Sequence, residues 1–153
     1  MPEEPKFYGP GYGATLLMLK AFATISPKAM ARQTMALFGT HDPDEAVNEM
    51  DKRDFERIRR FYLSQRSSWA AGASNDMEHR TGDAVLSSIK APTLIVHSRE
   101  DKAVPFAAGE YSHANIPGSE LWEAPSWSHF ISIGHGVDRV DRKVVEFLKQ
   151  DEW

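Results

Sequence analysis

Apolar residues recur at helical intervals through the first ninety positions of the chain, and the punctuation between them is helical too. Leu16, Leu17, Leu19, Phe22 and Ile25 fall at mixed helical spacings and predict a helix over 14–25. Ser26-Pro27 follows as an N-cap with proline at the first helical position, opening a second helix to about Phe38. Asp42-Pro43-Asp44-Glu45 repeats the device, with Glu45 three residues after the cap as in a capping box. Asp51 caps a further helix, in which Phe55, Ile58, Phe61 and Tyr62 stand at i, i+3, i+6 and i+7 and form one apolar stripe between basic side chains. Core packing accounts for that stripe.

The pattern changes near residue 90. After Ala91-Pro92 the run Thr93-Leu94-Ile95-Val96-His97 is short, continuous and apolar, as expected of a buried parallel strand. Phe106 to Ala114 reads as a helix, Ile116-Pro117-Gly118 as a turn, Glu120 to Glu123 as a second strand, and Val137 to Lys149 as a closing helix. Val137, Val140, Val144, Val145 and Leu148 line one face of that last helix. The expected architecture is α/β: a helical region over 1–90, then a βαβα piece of parallel sheet over 91–153, with a right-handed crossover. No internal repeat or low-complexity segment interrupts it.

Composition narrows the function classes. A chain of 153 residues with 41% hydrophobic and 26% charged residues has the length and make-up of one globular domain. The net charge is −4 with both signs scattered, so no basic stripe exists to neutralise phosphates, and nucleic acid is not expected as a partner. The absence of cysteine removes disulfides, thiolate metal sites and cysteine nucleophiles. The N-terminal MPEEPKFYGPGYG lacks the basic and apolar regions of a signal peptide. No apolar run reaches the roughly 20 residues of a membrane helix, so a soluble, cytoplasmic protein without membrane contact is expected.

Ligands of open α/β sheets sit outside the carboxyl ends of the strands. Two loops occupy that place: Ser98-Arg99-Glu100-Asp101 after the first strand and Pro125-Ser126-Trp127-Ser128-His129-Phe130 after the second. An aspartate and a histidine on neighbouring strand ends can pair, the carboxylate fixing the imidazole tautomer and stabilising the imidazolium. Asp101 and His129 are therefore the candidate acid and base. Taken singly, each is also what an ordinary turn or surface loop would carry. Glu100 is the alternative acid. His135 is the alternative base, but it lies at the mouth of the closing helix. His97 ends its strand beside the acid loop and reads as a packed residue; His41, His79 and His113 carry no signal. His97, Asp101 and His129 together could ligate a metal, but nothing in their spacing singles out such a site, and no cofactor is expected.

The strings APTLIVHSREDKAVP, IPGSELWEAPSWSHF and VVEFLKQ resemble the last third of α/β-hydrolase-fold enzymes such as esterases. In that family the acid lies in a loop reading roughly G-x-x-D-x-x-V-P and the histidine follows the last strand, in the chain order acid then histidine. The resemblance spans about residues 91–149 and implies Asp101 as acid and His129 as base. Ser98 and Ser128 stand where the family often has glycine. Arg66 with Gly72-Ala73-Ser74-Asn75-Asp76 resembles a stretch of the helical cap of some members, which makes 14–89 a cap or lid. The implied fold is a partial α/β-hydrolase fold.

The resemblance also implies a nucleophile on a G-x-S-x-G elbow, and the sequence contains none. Gly72 to Asp76 lacks the final glycine and follows a helical stretch. Family order places the elbow ahead of the cap, hence before Met1. An acid and histidine without a nucleophile or oxyanion donors should be inert alone. The sheet edge left open needs cover from a helix of the first 90 residues, a second copy, or a separate N-terminal polypeptide. The leading expectation is a serine hydrolase of esterase type, acting on a small ester-like substrate once completed. The alternatives are a non-catalytic ligand-binding or assembly module on the hydrolase shape, and a complete small enzyme using Ser126, Ser128 or Ser74.

Overall fold

The computed structural model describes residues 12–66 and 83–150. Four helices come first: α1 (Tyr12–Ile25), α2 (Pro27–Phe38), α3 (Pro43–Asn48) and α4 (Lys52–Ser64). After α5 (Asp83–Ser87) come β1 (Leu94–Ser98), α6 (Phe106–Asn115), β2 (Glu120–Ala124) and α7 (Val137–Leu148).

The capping residues largely act as their chemistry dictates, with two differences. Ser26 stands at the N-cap of α2 but its side chain makes no cap bond; Pro27 sets the helical start by its fixed φ and by removing an N–H. Asp42 accepts from the backbone of Asp44 and Glu45, both at 2.9 Å. Glu45 does not complete the expected box: its Oε2 turns instead to within 3.1 Å of His41 Nε2. The reciprocal box forms one helix later. Asp51 Oδ1 accepts from Asp54 N at 3.0 Å, and Asp54 Oδ2 accepts from Asp51 N at 3.2 Å.

The core lies among the helices. Met30, Met35, Val47, Met50 and Ile58 are buried together with Tyr62, and Ile133 joins them from beyond β2. Phe55 and Phe61 are half-buried against the cluster, so the α4 stripe is core. The Tyr62 hydroxyl shares a hydrogen bond with buried Thr34 at 3.1 Å. Trp127 and Phe130, from the loop after β2, pack on the same cluster and draw that loop onto the helical layer.

The two strands run parallel in the register Leu94↔Glu120 to Ser98↔Ala124. The register aligns their carboxyl ends, so the two candidate loops leave the sheet side by side. α6 packs on both strands and α7 on β1. The apolar face expected on α7 is only partly covered: Val140 is buried, whereas Val144, Val145 and Leu148 are 36%, 46% and 66% exposed. On α1, too, Leu16 is buried while Leu17, Met18 and Ile25 stand in solvent. No helix among the described residues is long and apolar enough to cross a membrane.

Candidate active site

Backbone and serine hydroxyls fix the two strand-end loops against one another. Ser98, wholly buried at the end of β1, donates its Oγ–H to the carbonyl of Ser126 and accepts from Glu100 N at 3.1 Å. Ser128 Oγ accepts from Phe130 N at 3.1 Å, and Ser126 Oγ donates to Ser128 O at 3.4 Å. The serines in place of glycine therefore supply loop-closing bonds. Their hydroxyls are buried and committed, which leaves Ser126 and Ser128, 2% and 1% exposed, without access to a substrate.

The end of α2 clamps both loops at once. Phe38 O accepts from Lys102 N at 3.2 Å and from His129 N at 2.9 Å. Thr40 N donates to Glu100 O at 3.0 Å, Gly39 bridges Asp101 in antiparallel fashion, and Lys102 Nζ reaches Ala36 O at 3.1 Å. Gly39 permits this approach because it has no Cβ: one built there would lie 2.3 Å from the Trp127 carbonyl oxygen. Gly39 also reads as an ordinary helix terminator, so its second role carries no sequence signal.

Asp101 and His129 meet in the space so defined. His129 Nδ1 lies 2.8 Å from Asp101 Oδ2. The other carboxylate oxygen, Oδ1, accepts from Ala103 N and Val104 N, both at 2.8 Å. Burial opposes the charge on this carboxylate, whose side chain is 4% exposed. The N–H donors of Val104, His129 and Ala103 outweigh burial and hold the carboxyl below the usual aspartate range. An ionised carboxylate only accepts, so Nδ1 of His129 carries the hydrogen, and neutral His129 has its lone pair on Nε2. Nε2 has no hydrogen-bond partner among the described residues, and the ring is 41% exposed between Phe38 and Phe130. Such a pair can accept a proton at Nε2 and hold the resulting imidazolium.

The alternatives lie elsewhere. Glu100 turns its carboxylate to the Thr40 hydroxyl. His135 bonds Glu49 Oε2 at 2.6 Å and stacks on Trp127 at 4.0 Å. His41, which has no signal in sequence, stacks on the opposite face of the same indole at 3.7 Å, so Trp127 is held between two imidazoles two residues before His129. His97 does reach the site. Its Nε2 lies 3.0 Å from Val104 O and 3.3 Å from Asp101 Oδ2. His97 thus donates to the Val104 carbonyl while its Nε2 stands 3.3 Å from the carboxylate oxygen that His129 bonds. Ser74 and the Gly72–Asp76 stretch lie outside the described residues.

Residues 18–136 match the alpha/beta hydrolase fold family. A 2-hydroxy-6-oxononadienedioate/2-hydroxy-6-oxononatrienedioate hydrolase of Burkholderia vietnamiensis is 35% identical over 65 residues, 42% of this chain and 22% of that protein. A 2-hydroxy-6-oxo-6-phenylhexa-2,4-dienoate hydrolase of Burkholderia cepacia is 31% identical over 101 residues, 63% of this chain and 31% of the relative. An alpha/beta hydrolase fold protein from Nakamurella multipartita superposes with a TM-score of 0.74 at 27% identity, over 95% of this chain and 54% of its own. The chain thus spans about half of that structure and under a third of those curated relatives. A family match over most of the sequence, a parallel strand pair beside a helical layer, and a superposition that takes in nearly every residue lead to one assignment: the chain belongs to the alpha/beta hydrolase fold family.

Proposed function

We propose that this chain supplies the acid and base of a serine hydrolase that attacks a carbonyl carbon, and that its nucleophile comes from a strand–elbow–helix segment lying against β1. The observation that carries the reading is the 2.8 Å contact between His129 Nδ1 and Asp101 Oδ2, with Nε2 left open. In the reaction a serine hydroxyl loses its proton to Nε2 as its oxygen bonds the carbonyl carbon; Asp101 stabilises the imidazolium; the imidazolium then protonates the leaving group. Water, deprotonated by the same nitrogen, releases the acid product and restores the serine. Two relatives are named as oxo-dienoate hydrolases, which supports a carbonyl substrate; a small ester belongs to the same chemistry.

What is uncovered around β1 supports this placement of the nucleophile. Among the described residues β1 pairs with β2 alone, and α7, which packs on β1, carries exposed valines and a leucine. A further parallel strand on β1 would satisfy its edge and bring a covering helix to that face.

The test uses a fluorophosphonate probe and a p-nitrophenyl ester, on the chain alone and on the chain joined to a strand–G-x-S-x-G–helix segment of the family. The chain alone should neither label nor turn over. The joined protein should do both, losing about 10⁴-fold in kcat with Asp101→Asn and at least as much with His129→Ala. His129-dependent labelling of the chain alone, or a joined enzyme indifferent to His129, would defeat the reading.

A further inference from the structure

We propose that His97 is a positioning residue for the acid–base pair: its Nε2–H, bonded to the Val104 carbonyl, brings the positive edge of the ring to Asp101 Oδ2 and so holds the carboxylate in the orientation that faces the base. The role rests on the reading of Asp101 and His129 given above.

The geometry of His97 leaves its ring little choice. Nε2 lies within reach of two acceptors, the Val104 carbonyl at 3.0 Å and Asp101 Oδ2 at 3.3 Å. Neither can donate, so Nε2 carries the hydrogen; it is bonded to the Val104 carbonyl and leaves the same nitrogen 3.3 Å from the carboxylate oxygen. The same turn therefore holds the carboxylate from both ends: Val104 donates its N–H to Oδ1 and offers its carbonyl to the histidine that contacts Oδ2.

Two further neighbours, Phe106 and Gly109, keep the ring in place. His97 meets Phe106 edge-on, with ring centres 5.6 Å apart. The Arg99 guanidinium lies 4.1 Å over that phenyl ring and is itself tied to Glu123 at 2.8 Å. Three residues after Phe106 the same helix, α6, carries Gly109, a residue that weakens a helix interior. A Cβ built at Gly109 would stand 2.9 Å from His97 Nδ1, so the glycine is what admits the imidazole. The His97 side chain is 12% exposed.

The alternative is that His97 only fills space. Carbon-13 NMR of the Asp101 carboxyl and proton NMR of the His129 Nδ1–H separate the two on the full chain, without any turnover. Loss of the N–H that lies beside the ionised form should raise the Asp101 titration midpoint by about 0.5 pH unit and shift the Nδ1–H resonance. His97→Met and His97→Phe remove the donor; His97→Gln keeps an N–H at similar reach on a side chain the length of methionine. The expected result is the rise in both donor-free variants and recovery in His97→Gln. No rise in either donor-free variant overturns the proposal, and an equal rise in all three assigns His97 to packing. Because these signals report hydrogen bonds and not catalysis, they hold or fail independently of whether a nucleophile completes the site.

Discussion

Gly39→Ala tests whether the close approach of α2 to the two site loops is a requirement of the fold. Gly39 has φ −125° and ψ 155°, which any residue adopts, so alanine meets no dihedral penalty there. Restricting the unfolded chain would by itself favour alanine by about 0.4–1 kcal/mol. The obstacle is space: the new Cβ would lie 2.3 Å from Trp127 O, 3.1 Å from Met35 O and 3.3 Å from Ser128 Cβ. The first distance is about 1 Å inside the ordinary closest carbon–oxygen approach. The blocking atom belongs to the backbone, so no side chain can rotate away. Relief requires parting residues 38–40 from 127–129, which strains the bonds of Phe38 O with His129 N and Lys102 N. Overpacking of this kind costs about 1–3 kcal/mol, and each weakened bond adds about 0.5–1.5. The expected net loss is about 2–5 kcal/mol, a large part of a domain's total stability. Guanidinium unfolding at unchanged m measures it, with Gly13→Ala in α1 as control, since nothing lies within 4 Å of a Cβ there. A Gly39→Ala midpoint at or above the parent's would refute the clamp.

Two further outcomes follow from the capping and the electrostatics. Asp51→Ala removes the side chain that accepts from Arg53 N at 2.7 Å and Asp54 N at 3.0 Å, and should lower stability by about 1–2 kcal/mol, with Asp51→Ser recovering most of it in thermal unfolding; an unchanged Tm would show that the cap contributes nothing. Asp101 has its carboxyl held below the usual range in the folded chain, so the folded form binds fewer protons than the unfolded form near and below about pH 4. The stability it contributes is complete above the unfolded value and is lost as pH falls through the depressed one. Unfolding measured from pH 6 down to pH 2 should therefore show a shallower acid loss for Asp101→Asn than for the parent, and identical slopes would contradict the donor set around Oδ1 and Oδ2.

Much of this arrangement is legible in the residues because its causes are local. Asp42, Asp51 and Pro43 act within four residues of themselves, so their helices are predictable; the α4 stripe buries Ile58 and Tyr62 as its spacing requires. The strand at 94–98 lies one residue beyond the apolar run Thr93–His97, because the pairing that defines it extends to buried Ser98, a polar residue whose hydroxyl reaches the next loop. Asp101 and His129 are recognisable because parallel register brings consecutive strand ends together and because both loops resemble those of the family. Other features depend on contacts between residues far apart in sequence. Phe38 acts through its carbonyl, Gly39 through a missing Cβ and His41 through a stack with a residue 86 positions on, and none of these leaves a pattern in composition or spacing. The apolar faces of α1 and α7 show the opposite failure: periodicity predicts burial, but it cannot say which surface does the burying.

The bonds at the end of α2 bear on how a helical layer relates to the chemistry beneath it. A lid that merely covered a site could be replaced freely, since it would touch substrate and little else. Here one carbonyl of the helical region, Phe38 O, accepts from the backbone of both site loops, one residue past Asp101 and at His129 itself. The hydrophobic core of that region takes in Trp127 and Phe130, which flank His129 in sequence. The loops are thus held by the strands on one side and by α2 on the other, and the distance between Asp101 and His129 depends on both. Any displacement of α2 that breaks the Phe38 bonds must also change the pair. Helical residues outside the two strand-end loops therefore set the geometry of the Asp101–His129 contact, and substitutions along 36–40 should alter His129 as much as they alter the helix they belong to.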